Sequence, residues 1–92
     1  MSKNLNLLST DELYILIGKN VARLRKKANI SQLELSLEMG NKCTSLISSA
    51  ELYKNKRKFN IAQLQKIAKI LNVDIRDFFE YTEYSEKNWP LK

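Results

Sequence analysis

Apolar residues recur at intervals of three and four along most of this chain, which is the spacing of one face of an α-helix. In the first long segment they are Leu13, Ile17, Val21, Leu24 and Ala28. The 92 residues include only two glycines and one proline, which leaves few places for the tight turns that join β-strands. The sequence therefore predicts an all-α fold.

The first predicted helix has a recognisable beginning and end. Ser9 and Glu12 have the spacing of a capping box, in which each side chain accepts a hydrogen bond from the other residue's backbone. Asn29 follows the last apolar position, and because asparagine tolerates left-handed backbone it is expected to end the helix. Gly18 lies inside the helix and indicates either a kink or close packing against a neighbour.

Two short helical segments follow, one on each side of Gly40. The second helix is predicted to begin with another capping box at Ser31 and to end at Gly40. The third is predicted over residues 44–52, with Ile47 and Ala50 facing inward. Leu46 is expected either to pack inward with them or to face outward, and most of the other side chains are small hydroxyls, so this helix has little else to bury.

The rest of the chain contains a polar loop and two more helical segments. The loop is predicted over residues 53–58, and the fourth helix over residues 61–71 with Ile61 at the start of its inner face. Asp74 is expected to cap a fifth helix, IRDFFEY. The prediction is therefore a domain of five helices.

The length of the chain allows one small domain. We predict that this domain covers residues 1–81 and that residues 82–92 form a C-terminal tail, which is either mobile or a contact for a partner. No apolar run approaches the roughly 20 residues that a membrane span needs, and the N-terminus is a poor signal peptide. We therefore expect a cytoplasmic protein with no membrane partner.

The charge is unevenly distributed along the chain. Residues 1–69 contain 13 Lys and Arg and 5 Asp and Glu, whereas residues 70–92 contain 3 and 5. A basic body with an acidic end favours a polyanionic partner for the body. The alternative is that the charge only aids solubility.

The chain lacks the residue types on which much enzymatic chemistry depends. It has no histidine, which excludes histidine-based acid–base catalysis and histidine-containing zinc sites. Its single cysteine, Cys43, has no histidine to activate it and is interpreted as structural. The sequence therefore predicts a protein that is not an enzyme and that needs no cofactor or metal.

Two short helices joined by a glycine-containing turn within a small helical domain are the geometry of a helix-turn-helix. Several motifs, in this order, carry a resemblance to one family: I-G-K-N-V-A-R-L-R-K-K-A (17–28), S-Q-x-E-L (31–35), M-G (39–40), I-S-S-A-E (47–51) and L-x-K-I-A-K-I-L-N-V-D-I (64–75). Over about residues 17–79 the sequence resembles the lambda-repressor-like (Cro/cI-type, XRE) helix-turn-helix proteins of bacteria and phages. Several features depart from the family: Asn29 stands where a glycine is usual and Ser36 where an alanine is usual, and the segment from Gly40 to Glu51 is one residue longer. The loop after Glu51 is also longer than usual and lacks the glycine that commonly follows the glutamate.

The resemblance implies a five-helix lambda-repressor-like DNA-binding domain that acts as a sequence-specific transcriptional regulator on double-stranded DNA. We expect a repressor that binds its operator as a homodimer. The first alternative is the antitoxin of a toxin–antitoxin pair, whose C-terminal tail binds a partner protein. A further alternative is a coactivator-like module that has lost DNA binding.

The resemblance also implies roles for individual residues. The outward positions of the third helix, which read base edges in the family, are Thr44, Ser45 and Ser49. Hydroxyls bond either donors or acceptors, so they discriminate between bases only weakly. Gln32 matches a glutamine that touches DNA phosphate at the start of the second helix, where backbone N–H groups already favour an anion. Arg25 and Glu51 match a structural salt bridge between the first and third helices.

Clustered basic residues are the remaining candidates for DNA contacts. Lys42, at the start of the third helix, is interpreted as a phosphate ligand rather than a guanine ligand. The loop after the third helix is expected to neutralise phosphates through Lys54, Asn55, Lys56, Arg57 and Lys58. The alternative for this loop is a solvated charged segment with no partner.

Two groups of apolar residues suggest further contacts. Leu33 and Leu37 share one face of the second helix, where they are expected either to pack against the segment Leu5–Leu8 or to belong to an interface. The C-terminal region is rich in aromatic residues, of which some are expected to complete the core and the rest to mediate self-association. They are Phe78, Phe79, Tyr81, Tyr84 and Trp89.

Overall fold

The computed structural model describes residues 5–81, and every regular element within them is helical. The four α-helices are α1 (Thr10–Lys27), α2 (Gln32–Glu38), α3 (Ser45–Glu51) and α4 (Ile61–Leu71). Three short 3-10 helices cover Leu5–Leu7, Lys54–Lys56 and Ile75–Phe79. The predicted all-α fold is confirmed. No helix in this part of the chain is both long and apolar enough to cross a membrane.

The fifth predicted helix is wrong in type, because residues Ile75–Phe79 form a 3-10 helix. Asp74 caps this turn as predicted, but the turn ends at Glu80, where the backbone is extended (φ −73°, ψ 132°). The buried side-chain amide of Asn20 on α1 donates to the carbonyl oxygens of Phe78 and Glu80, both at 2.8 Å. These carbonyls bind α1 instead of continuing a helix, so the domain has four α-helices rather than five.

The predicted helix beginnings are confirmed. The capping box of α1 joins Ser9 and Glu12 through reciprocal bonds of 2.9 and 3.1 Å. The same arrangement joins Ser31 to Glu34 at the start of α2. A third capping box, between Asn60 and Gln63, begins α4 and was missed by the sequence reasoning, although its spacing is the same.

The close-packing interpretation of Gly18 is confirmed. Helix α1 runs without interruption through this position. A Cβ atom on Gly18 would lie 2.6 Å from the carbonyl oxygen of Glu51 and 2.7 Å from that of Ala50. The backbone of α1 therefore touches the C-terminal end of α3, and this contact fixes where α3 sits on the domain.

Buried side chains from all four α-helices form the main core, together with Phe59 and Phe78. The helical contributors include Ile17, Val21, Leu24, Leu35, Ile47, Ala50, Leu64, Ile67, Ala68 and Leu71. Two positions predicted on inner faces are exposed. Ile61 is 67% exposed because it starts α4 at the edge of the core, and Ala28 is exposed because α1 ends one residue earlier.

Leu16 and Tyr81 form a second, smaller buried cluster. The segment Leu5–Leu8 packs on this cluster through its two end residues, and so lies against α1 rather than α2. Leu33 and Leu37 are 49% and 57% exposed. The expectation that they pack against Leu5–Leu8 is therefore wrong, and an interface at these two leucines stays a prediction.

Candidate nucleic-acid interface

The turn between α2 and α3 is built on Gly40. Its backbone is left-handed (φ 87°), which an L-residue with a side chain adopts only at a cost. The backbone N–H of Asn41 donates to the carbonyl of Ser36 at 2.8 Å, and that of Gly40 donates to Leu37 at 3.0 Å. These two bonds are those of a Schellman motif, which ends a helix sharply. The turn thus sends the chain away from α2 and towards α3.

Asn29 carries out the same function at the end of α1. Its φ of 61° is left-handed, so asparagine replaces the usual glycine without changing the backbone conformation. The next residue, Ile30, donates its N–H to the carbonyl of Arg25 at 3.1 Å. The departure from the family pattern at Asn29 is therefore structurally conservative.

Helix α3 has one buried face and one polar face. Ile47, Ala50 and Glu51 are buried, whereas Ser45 is exposed and Thr44 and Ser49 are half-buried. Two residues missed by the sequence reasoning belong to the same outer stripe, because they lie three and seven positions after Ser45. They are the half-buried Ser48 and Leu52, which is 76% exposed.

The residues that precede α3 are also at the surface. Lys42 and Cys43 are both exposed. The Cys43 thiol lies 3.2 Å from the hydroxyl of Ser45, and this hydrogen bond lowers the pKa of Cys43. The structural role predicted for Cys43 does not extend to the core, because the side chain is exposed.

A buried ion pair ties α3 to α1. The guanidinium of Arg25 binds Glu51 through two contacts, Nε to Oε2 at 2.8 Å and Nη2 to Oε1 at 3.2 Å. The third guanidinium nitrogen donates to the carbonyl of Ile30 at 2.9 Å. The exposed fractions of the two side chains are 8% and 3%, so the pair is largely removed from water. Two-pronged geometry of this kind restricts the carboxylate to one orientation.

Gln32 joins this network. Its Nε2 donates to Oε1 of Glu51 at 2.9 Å, and its side chain is half-buried. The sequence predicts a phosphate contact for Gln32 and contains no signal for this bond. The second amide hydrogen and the backbone N–H at the start of α2 are still available to an anion. The structure thus brings Arg25, Gln32 and Glu51 together.

The loop after α3 presents a cluster of exposed cations. We call residues 54–58 the basic loop, and all five are exposed. Its first three residues form a 3-10 turn, in which Lys54 accepts a hydrogen bond from the N–H of Arg57 at 3.0 Å. Tyr53, Asn55 and Lys56 all have left-handed backbone, with φ between 54° and 60°. That conformation costs an L-residue about 1–2 kcal/mol.

Contacts with the start of α1 hold the basic loop at both ends. The Tyr53 hydroxyl donates to Asp11, and the Tyr53 ring stacks on Tyr14 with centroids 5.9 Å apart. The hydrogen bond to the Asp11 carboxylate raises the pKa of Tyr53 to about 12. The Lys58 ammonium lies 5.1 Å from the centroid of the Tyr14 ring, a distance typical of a cation–π contact. Phe59, next in the chain, is buried in the core.

The other cations of the loop are available to a ligand. Within residues 5–81, the side chains of Lys54, Lys56 and Arg57 form no hydrogen bond or ion pair. Together with Lys42 they place positive charge at both ends of α3. The sequence reasoning identified these residues but missed Asp11 and Tyr14, because the Asp11–Tyr53 bond spans 42 positions.

Comparison with known proteins agrees with this geometry. The helix-turn-helix family model matches residues 21–78, well over half of the chain. The restriction-modification controller protein C.AhdI from Aeromonas hydrophila matches with a TM-score of 0.63 and 23% identity, over 72% of this chain and 96% of that one. The N-terminal DNA-binding domain of SinR from Bacillus subtilis matches with a TM-score of 0.61 and 25% identity, over 74% and 96%.

A third similar structure belongs to an enzyme. Hydroxypropylphosphonic acid epoxidase from S. wedmorenis matches with a TM-score of 0.66 and 16% identity, over 76% of this chain but 36% of the epoxidase. At these identities the likenesses to the epoxidase and to C.AhdI show the fold alone. No curated protein sequence matches the chain significantly. The family match spans α2, the turn, α3 and α4 entirely, so the chain belongs to the lambda-repressor-like helix-turn-helix family of DNA-binding transcription regulators.

Proposed function

We propose that this protein is a sequence-specific repressor that places α3 in the major groove of an operator and binds as a homodimer in the cytoplasm. One observation carries the proposal: apart from Leu52 just after its end, the outer face of α3 carries small hydroxyl side chains, and unpaired cations lie before and after it in the chain. A helix fits the width of the major groove, and small outward side chains allow it to approach the base edges. The proposal includes no enzymatic activity.

Base reading is assigned to Thr44, Ser45 and Ser49. Their hydroxyls distinguish base pairs less sharply than arginine or asparagine would, because each hydroxyl can donate or accept. The Ser49 hydroxyl has no hydrogen bond within the described part of the chain, so it is available to a base edge. We expect half-site spacing and DNA shape to supply much of the remaining specificity.

Phosphate binding is assigned to residues around α3. The unpaired cations Lys42, Lys54, Lys56 and Arg57 supply direct contacts, and Asn55 at the tip of the loop adds an amide. Lys58 contributes its charge from its position over the Tyr14 ring. Gln32 lies at the N-terminus of α2 and contributes the second hydrogen of its side-chain amide, while the bond to Glu51 holds that amide in place. Arg25 and Glu51 act only on structure.

The homodimer is supported by an open cleft between the end of α1 and the third 3-10 helix. The cleft is lined by the apolar Leu24, Leu71 and Val73 and by two cations of α1 and two acids, Arg23, Lys27, Asp77 and Glu80. Within one chain Arg23 lies 3.7 Å from Glu80, so Lys27 and Asp77 are the lining charges outside that pair. A two-fold axis can place each sign opposite the other. In sedimentation experiments we expect Lys27→Glu and Glu80→Lys to weaken the dimer singly and to restore it together. Three variants that sediment like the wild type would exclude this interface.

The antitoxin alternative depends on residues 82–92, which lie outside the described residues. The same holds for the self-association predicted for Tyr84 and Trp89. Both stay predictions, as does the boundary of the domain at residue 81. Deletion of residues 82–92 tests them, because an antitoxin would lose its protein partner while its DNA binding remained.

Selection from random duplex DNA tests the main proposal. We expect enrichment of a two-fold symmetric sequence, with half-sites about one helical turn apart, because two α3 helices would read successive major grooves. The matched control is a chain in which Thr44, Ser45 and Ser49 are all alanine. Enrichment of the same sequence by that control, or no enrichment by the folded wild type, would refute base reading by α3.

A further inference from the structure

We propose that Asp11 and Tyr14 are positioning residues for DNA binding, which act by holding the basic loop in its binding shape. With Tyr53 and Lys58 they form what we call the tyrosine cluster. The inference rests on the proposed function, since it assumes that the basic loop binds phosphates. It assigns to the first turns of α1 a role in DNA binding that requires no contact between either residue and DNA.

Both ends of the basic loop converge on one aromatic ring. Tyr53, immediately before the loop, stacks on Tyr14 with an angle of 16° between the ring planes. Lys58, the last residue of the loop, places its ammonium 5.1 Å from the centroid of the same ring. The separation between the two ends is therefore set by Tyr14. Because helix α1 carries Tyr14, it determines how far the loop opens.

The backbone of the loop needs such support. Tyr53, Asn55 and Lys56 are left-handed, and none of them is glycine. A free five-residue loop would sample many other conformations, and the cations would have to be ordered again at each binding event. Holding the loop in advance removes that cost from binding. Lys54, Lys56 and Arg57 then keep their side chains free for phosphates.

The sign of Asp11 supports a positioning role over direct contact. A carboxylate beside a phosphate-binding loop repels DNA, so Asp11 is unsuited to be a ligand itself. Its hydrogen bond to the Tyr53 hydroxyl orients that ring on Tyr14. Asp11 also lies in the first turn of α1, where an acid favours the helix. The experiment must therefore separate the hydrogen bond from the charge.

The pair Asp11→Ala and Asp11→Asn makes this separation. Both variants remove the charge, but only asparagine keeps an oxygen that can accept the Tyr53 hydrogen bond. We expect Asp11→Ala to bind operator and random DNA roughly three- to tenfold more weakly than Asp11→Asn, the range of one hydrogen bond. Tyr53→Phe, which keeps the ring but not the hydroxyl, should lose affinity by a similar factor. Their plots of log K against log salt should keep the wild-type slope, because no phosphate contact is removed.

Two further measurements connect the effect to the loop. In the free protein, the amides of Lys56 and Arg57 bond to the carbonyls of Tyr53 and Lys54, and their hydrogen exchange should accelerate roughly three- to tenfold in Tyr53→Phe, matching the affinity loss. The loss caused by Tyr53→Phe should also shrink when Arg57→Ala is already present, because the two act through the same loop. A merely global effect on stability would be the same in both backgrounds.

The outcomes separate failure of this inference from failure of the proposed function. If Arg57→Ala and Lys54→Ala weaken DNA binding but the two Asp11 variants bind equally, the positioning role is overturned and the phosphate role of the loop stands. If Arg57→Ala and Lys54→Ala bind DNA like the wild type, the proposed function of the loop fails, and the inference fails with it. A Tyr53→Phe loss of equal size with and without Arg57 would also overturn the inference.

Discussion

The Arg25–Glu51 pair and the basic loop both carry charge next to α3, but in opposite states. The pair is buried, with each charge matched by its partner and by further hydrogen bonds. The basic loop is exposed, and three of its four cations have no partner within residues 5–81. A buried charge contributes when it is paired, whereas an exposed unpaired charge is available to a ligand. The pair should therefore govern stability, and the loop should govern affinity.

The largest expected effect is on the buried pair. Arg25→Met leaves the Glu51 carboxylate buried with only Gln32 as a hydrogen-bond donor, so we expect the free energy of unfolding to fall by about 3–5 kcal/mol. Denaturant titration followed by circular dichroism measures it. The matched control is Arg76→Met, because Arg76 pairs with Asp74 while its side chain is 87% exposed. Equal stabilities for the two variants would remove the distinction between the buried and the exposed charges.

The contact between α1 and α3 can also be tested at Gly18, through packing instead of charge. Alanine would favour the α1 helix by up to about 1 kcal/mol in the absence of neighbours. Its Cβ would, however, lie within 2.7 Å of two backbone carbonyl oxygens of α3, which cannot rotate away as a side chain could. We expect the clash to dominate and Gly18→Ala to destabilise the domain by about 1–3 kcal/mol. A variant more stable than the wild type would mean that α3 moves freely on α1.

Arg57 tests the role of the exposed basic loop. Its backbone is ordinary (φ −74°), so Arg57→Ala changes the side chain without the complication of a left-handed residue. We expect operator and random DNA to be bound more weakly by the same factor, and the slope of log K against log salt to fall by about one unit. Lys69→Ala, in the last turn of α4, removes the same charge away from the loop and is the control. A changed base preference in Arg57→Ala at constant slope would contradict phosphate binding.

How well the sequence predicts a structural feature depends on how far apart in the chain the interacting residues lie. Helix beginnings at Ser9 and Ser31 and the ends at Asn29 and Gly40 depend on neighbours within five residues, and these predictions are confirmed. The prediction of a fifth α-helix is wrong because the backbone carbonyls there accept hydrogen bonds from Asn20, some 60 positions away. A periodic pattern cannot reveal a side chain that takes two distant carbonyls.

The contacts of the candidate site also differ in how well they could be predicted from the sequence. The pairing of Arg25 with Glu51 was implied by the family resemblance rather than by any local pattern, and the structure contains it. The bond from Gln32 to Glu51 and the contact of Tyr53 with Asp11 had no signal in the sequence. Both depend on where the helices lie relative to each other, which composition and spacing do not specify.

A smaller effect is expected from pH at Tyr53. The Asp11 carboxylate raises the pKa of Tyr53 from the ordinary value near 10 to about 12 in the folded state. A raised folded-state pKa means that the stabilisation is complete below pH 10 and is lost as pH rises towards 12. The free energy of unfolding should fall more steeply over this interval in the wild type than in Tyr53→Phe. Identical pH dependence of the two proteins would mean that the hydroxyl does not bind Asp11 in solution.

The smallest expected effect is at Ser49, and it distinguishes the recognition of bases from the binding of phosphates. Ser49→Ala removes one neutral hydroxyl, so operator binding should weaken by a factor of roughly two to ten, while random DNA and the salt slope stay unchanged. Ser48→Ala is the matched control, because the Ser48 hydroxyl already donates to the carbonyl of Ser45 at 3.4 Å and has less to offer a base. Binding to both DNAs at several salt concentrations gives the comparison. If folded Ser49→Ala binds operator and random DNA more weakly by the same factor, then α3 does not recognise bases in the groove. Affinity and specificity would then arise from the same contacts rather than from two separate regions.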